Sequence, residues 1–309
     1  MNTSIDILIN NMEKIIVGKR SVLERLLTAL LCDGHVLIED VPGVGKTQIV
    51  ATLARSVNAV YHRVQFTPDV MPSDIMGFSM FNPSTREFEY REGAAMCNFL
   101  LADEINRTSP KTQSSLLEIM EEFQVTVDGK TYSLPRPYMV LATQNPVESF
   151  GTYPLPEAQM DRFFMKLTIG YPGREQEKEI IDRFGSGNPF SDLKPVANTS
   201  DIVELQNKVK EINVEDCLKM YIIDIVEMTR KSSEVVLGVS PRGSLNLFKA
   251  SKAWAFIKGR DYVLPDDVQE MASLVLSHRI MMSSGARMKS VTAEDVVNEA
   301  ISKVKVPVF

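Results

Sequence analysis

The residues best suited to chemistry begin at Glu39. The run Glu39-Asp40-Val41-Pro42-Gly43-Val44-Gly45-Lys46-Thr47 follows the apolar triplet Val36-Leu37-Ile38 and opens a stretch with helical periodicity. Glycines let backbone N–H groups approach an anion closely, and a helix N-terminus adds unpaired donors and the positive end of its dipole. Such a loop suits the phosphates of a nucleotide. Lys46 would pair with the β- and γ-phosphates, and the Thr47 hydroxyl would bind Mg2+. The strict pattern asks for glycine at position 40, where Asp40 stands; the strand before, the helix after and Gly43 supply the context. The plain alternative is a strand-to-helix turn with an incidental lysine.

A second constellation completes such a site. Phe99-Leu100-Leu101-Ala102 is an apolar strand that ends in two carboxylates, Asp103 and Glu104. Asp103 would hold the Mg2+ shell and Glu104 would polarise an attacking water; the bland reading is a strand end with two solvated acids. The strand Tyr138–Ala142 runs into Thr143-Gln144-Asn145-Pro146. Asn145 then lies at the C-terminal edge of a sheet, where open α/β sheets bind ligands, and could contact the water or the γ-phosphate. The alternative is a turn asparagine before proline.

The elements that must position these groups follow from periodicity. Three short apolar runs, 36–38, 99–102 and 138–142, read as strands buried on both faces, separated by helices at about 21–33, 46–57 and 110–122. That alternation predicts an α/β layer with a parallel sheet. Hairpins are expected at about 78–91, around the turn Asn82-Pro83-Ser84, and at about 124–133, around Asp128-Gly129. A Gly-, Pro-, Ser- and Asn-rich stretch, 184–198, marks the boundary. Beyond it strand signals vanish, and amphipathic stretches at about 200–212, 216–232, 242–258, 266–284 and 293–304 predict a helical bundle. The expected organisation is a core over 1–185, a linker over 186–198 and a helical domain over 199–309. At 309 residues the chain suits about two domains, each burying its own core.

Composition narrows the function classes. Apolar residues make up 44% and charged residues 24%, an ordinary globular mix. No apolar run approaches the ~20 residues of a membrane span, and Met1–Asn10 lacks the features of a signal peptide, so a cytoplasmic protein without direct membrane insertion is expected. Cys32, Cys97 and Cys217 form no CxxC pair, and His35, His62 and His278 form no cluster, which argues against a disulfide framework or a zinc site. Net charge is −6, carried by the first 185 residues, with 18 Lys and Arg against 24 Asp and Glu; the remainder has 16 of each. Neither part has the basic footprint of a nucleic-acid binder.

Several motifs in order give a resemblance over nearly the whole chain: VGKR (17–20), EDVPGVGKT (39–47), QFTPDVMPSDIMG (65–77), LADEINRTSPKTQSSLLEIMEE (101–122), QVTVDGKTY (124–132), ATQNP (142–146), GTYPLPEAQMDRF (151–163) and SPRG (240–243). The sequence resembles the MoxR family of AAA+ ATPases. The resemblance implies a P-loop NTPase fold with a parallel central sheet and an all-α lid, with ATP bound between them. It implies that Lys46 and Thr47 belong to Walker A, with Pro42, Gly43, Val44, Gly45 and Gln48 around the nucleotide. Asp103 and Glu104 would form Walker B and Asn145 sensor 1, and Val17 and Gly18 would sit by the adenine. Arg162 matches an arginine finger that reaches a neighbour's nucleotide, and Arg242 matches sensor 2 on the lid. Each arginine has a bland alternative as a surface charge. Arg107 is either a second trans-acting cation or a cap on Asp103. The stretch 78–91 would be an insert in the second helix of the fold.

Five positions depart from the family pattern. These are Asp40; Lys19, where glutamine is more usual; Ala94-Ala95, in place of proline and an apolar residue; and Gly243, where alanine is usual and where glycine would loosen a helix start by ~1 kcal/mol. The family implies a homo-oligomer, a ring of six subunits, with ATP and Mg2+, that remodels or matures proteins carrying von Willebrand factor A domains. Two other classes are a nucleic-acid motor and a nucleotide-gated assembly switch. The first hairpin sets Arg86 and Arg91 against Glu87, Glu89 and Glu92, too acidic for a DNA-tracking element. Intact Glu104 and Arg162 weigh against a switch with little turnover.

Overall fold

The computed structural model describes residues 2–145, 152–185 and 187–307. The chain opens with α1 (Thr3–Glu13) and α2 (Arg20–Leu31), then β1 (Val36–Glu39), α3 (Lys46–Ser56), β2 (Tyr61–Gln65) and the short α4 (Pro72–Met76). A hairpin of β3 (Gly77–Asn82) and β4 (Glu87–Glu92) precedes β5 (Phe99–Asp103) and α5 (Pro110–Glu122). A second hairpin, β6 (Gln124–Val127) and β7 (Lys130–Ser133), leads to β8 (Met139–Gln144), α6 (Glu157–Met160), β9 (Met165–Leu167) and α7 (Arg174–Gly185). The remainder is α8 (Thr199–Lys210), α9 (Asp216–Lys231), β10 (Val235–Leu237), α10 (Pro241–Ile257), α11 (Pro265–Leu276), β11 (Met281–Met282), α12 (Ser284–Met288) and α13 (Ala293–Lys303). Among the described residues no helix is long and apolar enough to cross a membrane.

Five strands form the central sheet in the order β2-β5-β8-β1-β9, with every pairing parallel. Their side chains alternate between two apolar layers. Val36, Ile38, Phe99, Leu101, Met139 and Leu141 face one side, and Leu37, Leu100, Ala102, Val140 and Ala142 the other. This two-sided burial is why the strands read as continuous apolar runs. The register sets Gln65 beside Asp103 and Glu39 beside Gln144, so polar residues from neighbouring strands collect at one edge.

The structure departs from the sequence reading in three places. The halves do not bury separate cores: one apolar cluster runs from the sheet through α1 and α2 into α8, α9, α10 and α11. The cause is α2, which buries nine of its 12 residues and lies between the sheet and the helical half. Strands do occur past the boundary, since β10 and β11 pair antiparallel. The stretch read as one helix over 266–284 breaks after Leu276 into a 3-10 turn, Ser277–Arg279, before β11. Both hairpins stand where expected. In the second, Asp128 and Gly129 take the positive φ angles, 49° and 75°, of the tight turn that pair favours.

Candidate nucleotide site

The loop between β1 and α3 has the conformation a phosphate cradle needs. Gly43 and Gly45 have φ of 88° and 89°, and a Cβ at either would meet only open space. No side chain caps the N-terminus of α3, so its first-turn amides remain available. Lys46 Nζ folds back onto the Asp40 carbonyl at 2.7 Å. Burial pulls its ammonium below the ordinary lysine range, against the opposing pull of Asp103, Asp40 and Glu104.

Beside this loop is a cavity of about 270 Å³ lined by Val17, Gly43, Val44, Gly45 and Gln48, five of the expected contacts. Gly18, the residue after Val17, is not part of the lining; its carbonyl accepts a hydrogen bond from Gln176 Nε2 at 3.2 Å. Pro42 is exposed at the tip of the loop and Thr47 is half-buried in the first turn of α3. The opposite wall is Pro172, Ile180 and Phe184, from α7 and the turn before it. The sequence reading missed this wall. Its signal was there: apolar Ile180 and Phe184, four residues apart in an otherwise charged stretch.

Two side chains fix the segment entering α7. Asp40 Oδ2 accepts the N–H groups of Ile169 and Gly170, each at 2.7 Å, and Oδ1 accepts that of Val41 at 2.8 Å. Lys19 Nζ donates to the carbonyls of Ile169, Gly170 and Tyr171 at 2.8–3.0 Å. Two of the residues that depart from the family pattern thus hold one short segment, from its amide and its carbonyl sides.

At the edge of the sheet, Thr143 organises the acidic pair. Its hydroxyl donates to Asp103 Oδ1 at 2.6 Å and accepts the Glu104 N–H at 2.9 Å. Glu104 is in the left-handed region, φ 56° and ψ 51°, a conformation that costs a non-glycine residue about 1–3 kcal/mol and clusters at active sites. Gln65 Nε2 reaches Glu104 Oε2 at 2.7 Å and Arg107 pairs with the same oxygen at 3.1 Å. Arg63 pairs with Asp103 Oδ2 at 2.7 Å. Asn145 is buried directly after β8. Pro146 and Gly151 of the quoted motifs lie outside the described residues.

A loop open to anions, a lysine among three carboxylates, and a polar sheet edge make a nucleotide site. Comparison with known proteins agrees. The sequence profile of the ATPase family associated with various cellular activities (AAA) matches residues 35–165, and that of the AAA lid domain matches 227–300. Chaperone MoxR1 of Mycobacterium tuberculosis is 43% identical over 96% of this chain and 80% of its own. The chain belongs to the MoxR family of AAA+ ATPases. An uncharacterized Bacillus subtilis protein, YeaC, is 52% identical over 97% of this chain and 94% of its own. The crystal structure of a candidate ATPase from Cytophaga hutchinsonii superposes with a TM-score of 0.93 at 39% identity, covering 99% of this chain and 95% of that one.

Against the MoxR pattern, the two remaining arginines stand elsewhere. Arg162 Nε lies 3.4 Å from Glu121 Oε2, and the Arg242 guanidinium pairs with the other oxygen of the same carboxylate. Neither lines the cavity, and among the described residues its lining ends at Phe184. The structure places Arg242 on Glu121 together with Arg162. The physical reason is the shared core: α10 packs on α2, and Ser240 Oγ, at the N-terminus of α10, bonds Asp161. That anchors Arg242 beside Arg162 instead of over the P-loop.

Proposed function

We propose that this MoxR-family protein hydrolyses ATP in a ring of identical subunits and uses the cycle to remodel partner proteins. Lys46 and the α3 amides bind the phosphates. Thr47 and Asp103 are the residues fitted to hold Mg2+, which would neutralise phosphate charge there. Glu104 and Asn145 orient the water. Residues 1–185 form the ATPase portion, 186–198 the connection and 199–309 the lid.

The observation that carries the ring is the pairing of Arg162 and Arg242 on Glu121, away from their own cavity. A phosphoryl group in transfer needs positive charge, and an arginine supplied by a neighbour can raise the rate ~10³–10⁵-fold. A head-to-tail interface that presents one chain's arginines to the next chain's P-loop closes into a ring; six subunits is the family expectation. We extend the sensor 2 assignment accordingly: Arg242 acts with Arg162, in trans. For the client, the support is the β3–β4 hairpin, which exposes Phe78, Phe81 and Phe88 among glutamates. That surface suits protein contact over a phosphate backbone. Proteins with von Willebrand factor A domains are the proposed partners, and the chaperone name of MoxR1 supports that direction.

The test is ATPase rate against protein concentration, with Arg162→Ala mixed in. Specific activity should rise with concentration and fall disproportionately as the variant is added. A flat rate indifferent to the variant would mean that each chain acts alone.

A further inference from the structure

The finger segment is held from the helical half by a buried arginine that no motif announced. Arg279 closes the 3-10 turn after α11, and its side chain is 1% exposed. Its Nε pairs with Asp161 Oδ1 at 2.8 Å. One terminal nitrogen donates to the carbonyls of Asp161, at 3.1 Å, and Phe163, and the other to that of Phe164 at 3.4 Å. His278 Nε2 meets the Phe163 carbonyl at 3.1 Å, and Ser240 Oγ bonds the Asp161 carboxylate. Residues on both sides of Arg162 are thus gripped from the lid, while the Arg162 guanidinium points away, to Glu121 and Arg242.

Such a grip is expensive to build. A buried guanidinium loses its hydration, and only full pairing offsets that; burial pulls Arg279 down to about 10, with Asp161 holding it up. Apolar packing could join the lid to the sheet without that penalty. What the guanidinium adds is direction, since its planar fork fixes three carbonyls and a carboxylate at once. Phe163 and Phe164 anchor the same segment by entering the two opposite core layers. Gly243 leaves space for the arrangement: a Cβ there would come within 3.2 Å of Arg279 Cδ.

We propose that Arg279 is a positioning residue for the trans-acting arginines, locking the finger segment to the lid so that Arg162 and Arg242 reach the neighbouring subunit as one unit. This rests on the shared-site reading above. A residue that only glued the fold together would lower stability or ATP binding in its own chain. A positioning residue damages the neighbour's turnover.

Subunit complementation separates these. Arg279→Lys keeps a cation for Asp161 but cannot span the carbonyls. Alone, it should bind ATP with unchanged KM and lose about 10- to 100-fold in kcat, the order expected of a misplaced catalytic group. Lys46→Ala has no working P-loop but an intact arginine assembly. Mixed one to one, the two inactive proteins should recover up to about a quarter of wild-type turnover, since half the subunits keep a working loop and half of their neighbours a working finger. The control pair, Arg162→Ala with Lys46→Ala, should recover likewise. If the control recovers and the Arg279→Lys mixture does not, Arg279 is structural and the shared site stands. If the control fails, the shared site itself falls. Full turnover by Arg279→Lys alone also overturns the proposal. Should Arg279→Lys not fold, Asp161→Asn, at the half-buried end of the same pair, must show the same loss and the same recovery; full turnover or no recovery there counts against it equally.

Discussion

Asp40 occupies a position where the strict phosphate-loop pattern has glycine, and its three accepted backbone hydrogen bonds explain why. Hydrogen bonds to a charged acceptor contribute about 1.5–3 kcal/mol each, and a donor left buried without a partner costs about as much. Asp40→Gly, which restores the strict motif, should therefore lower stability by about 2–4 kcal/mol in urea melts and weaken ATP binding by loosening the segment 169–171 that leads into the wall at Pro172. Unchanged melting with tighter ATP binding would show that the aspartate is incidental. Glu104→Gln makes the complementary case. The amide keeps the shape and the bond region of the carboxylate but cannot take a proton, so ATP binding should persist while turnover falls about 10²–10⁴-fold; single-turnover phosphate release measures it. At this scale the sequence was informative wherever chemistry constrains residue type: Lys46, Thr47, Asp103 and Glu104 were visible from spacing alone. Thr143, Gln65 and Arg63 were not, because a threonine, a glutamine and an arginine at strand ends carry no pattern until the register brings them to the acidic pair.

Elements were legible where one period dominates. The buried strands and α5 showed themselves by apolar spacing, and the Asp128-Gly129 hairpin by its turn. The break after Leu276 was hidden because Ser277–Ile280 continues the helical spacing; what stops the helix is tertiary, the pull of Arg279 into the finger segment. Gly243 sets two effects against each other. By helix propensity Gly243→Ala gains ~1 kcal/mol. Its Cβ, however, would lie 2.2 Å from Val239 Cγ1, and overpacking costs about 1–3 kcal/mol. The steric term is the larger, so the variant should be less stable in urea; a stabilised variant would mean that Val239 yields. His35 links elements through both ring nitrogens, Nε2 to the Met120 carbonyl at 2.8 Å and Nδ1 accepting the Val140 N–H at 3.0 Å. Burial lowers it to about 4. The unfolded imidazole takes its proton near 6.5, so between these values the unfolded chain binds more protons and stability falls as pH falls. By pH 5 His35 alone should remove about 2 kcal/mol relative to pH 8. Urea melts at constant ionic strength that show no loss between pH 7 and 5 would mean that the ring is protonated in place.

At the scale of the molecule, the sequence suggested two domains and the structure has two fold types on one core. Composition and periodicity report each element's own amphipathicity, but α2 is apolar on more than one face, and only the assembled chain shows that those faces serve different halves. This bears on the proposed cycle, because a lid sharing a core with the sheet is tied to it. On the shared-site proposal, motion driven by ATP would then pass between subunits. Shared burial also predicts one cooperative unfolding transition. The single tryptophan, Trp254, lies in α10 and is buried within the common cluster, so its fluorescence reports the helical half, while far-UV circular dichroism reports the whole. Burying about 25 cal/mol per Å² of apolar surface across that join ties the halves together, and the two probes should give coincident urea midpoints and equal m values. Separate midpoints, with Trp254 melting first, would show a lid that opens while the sheet remains folded, and a nucleotide-driven movement within each subunit would again be the simpler account.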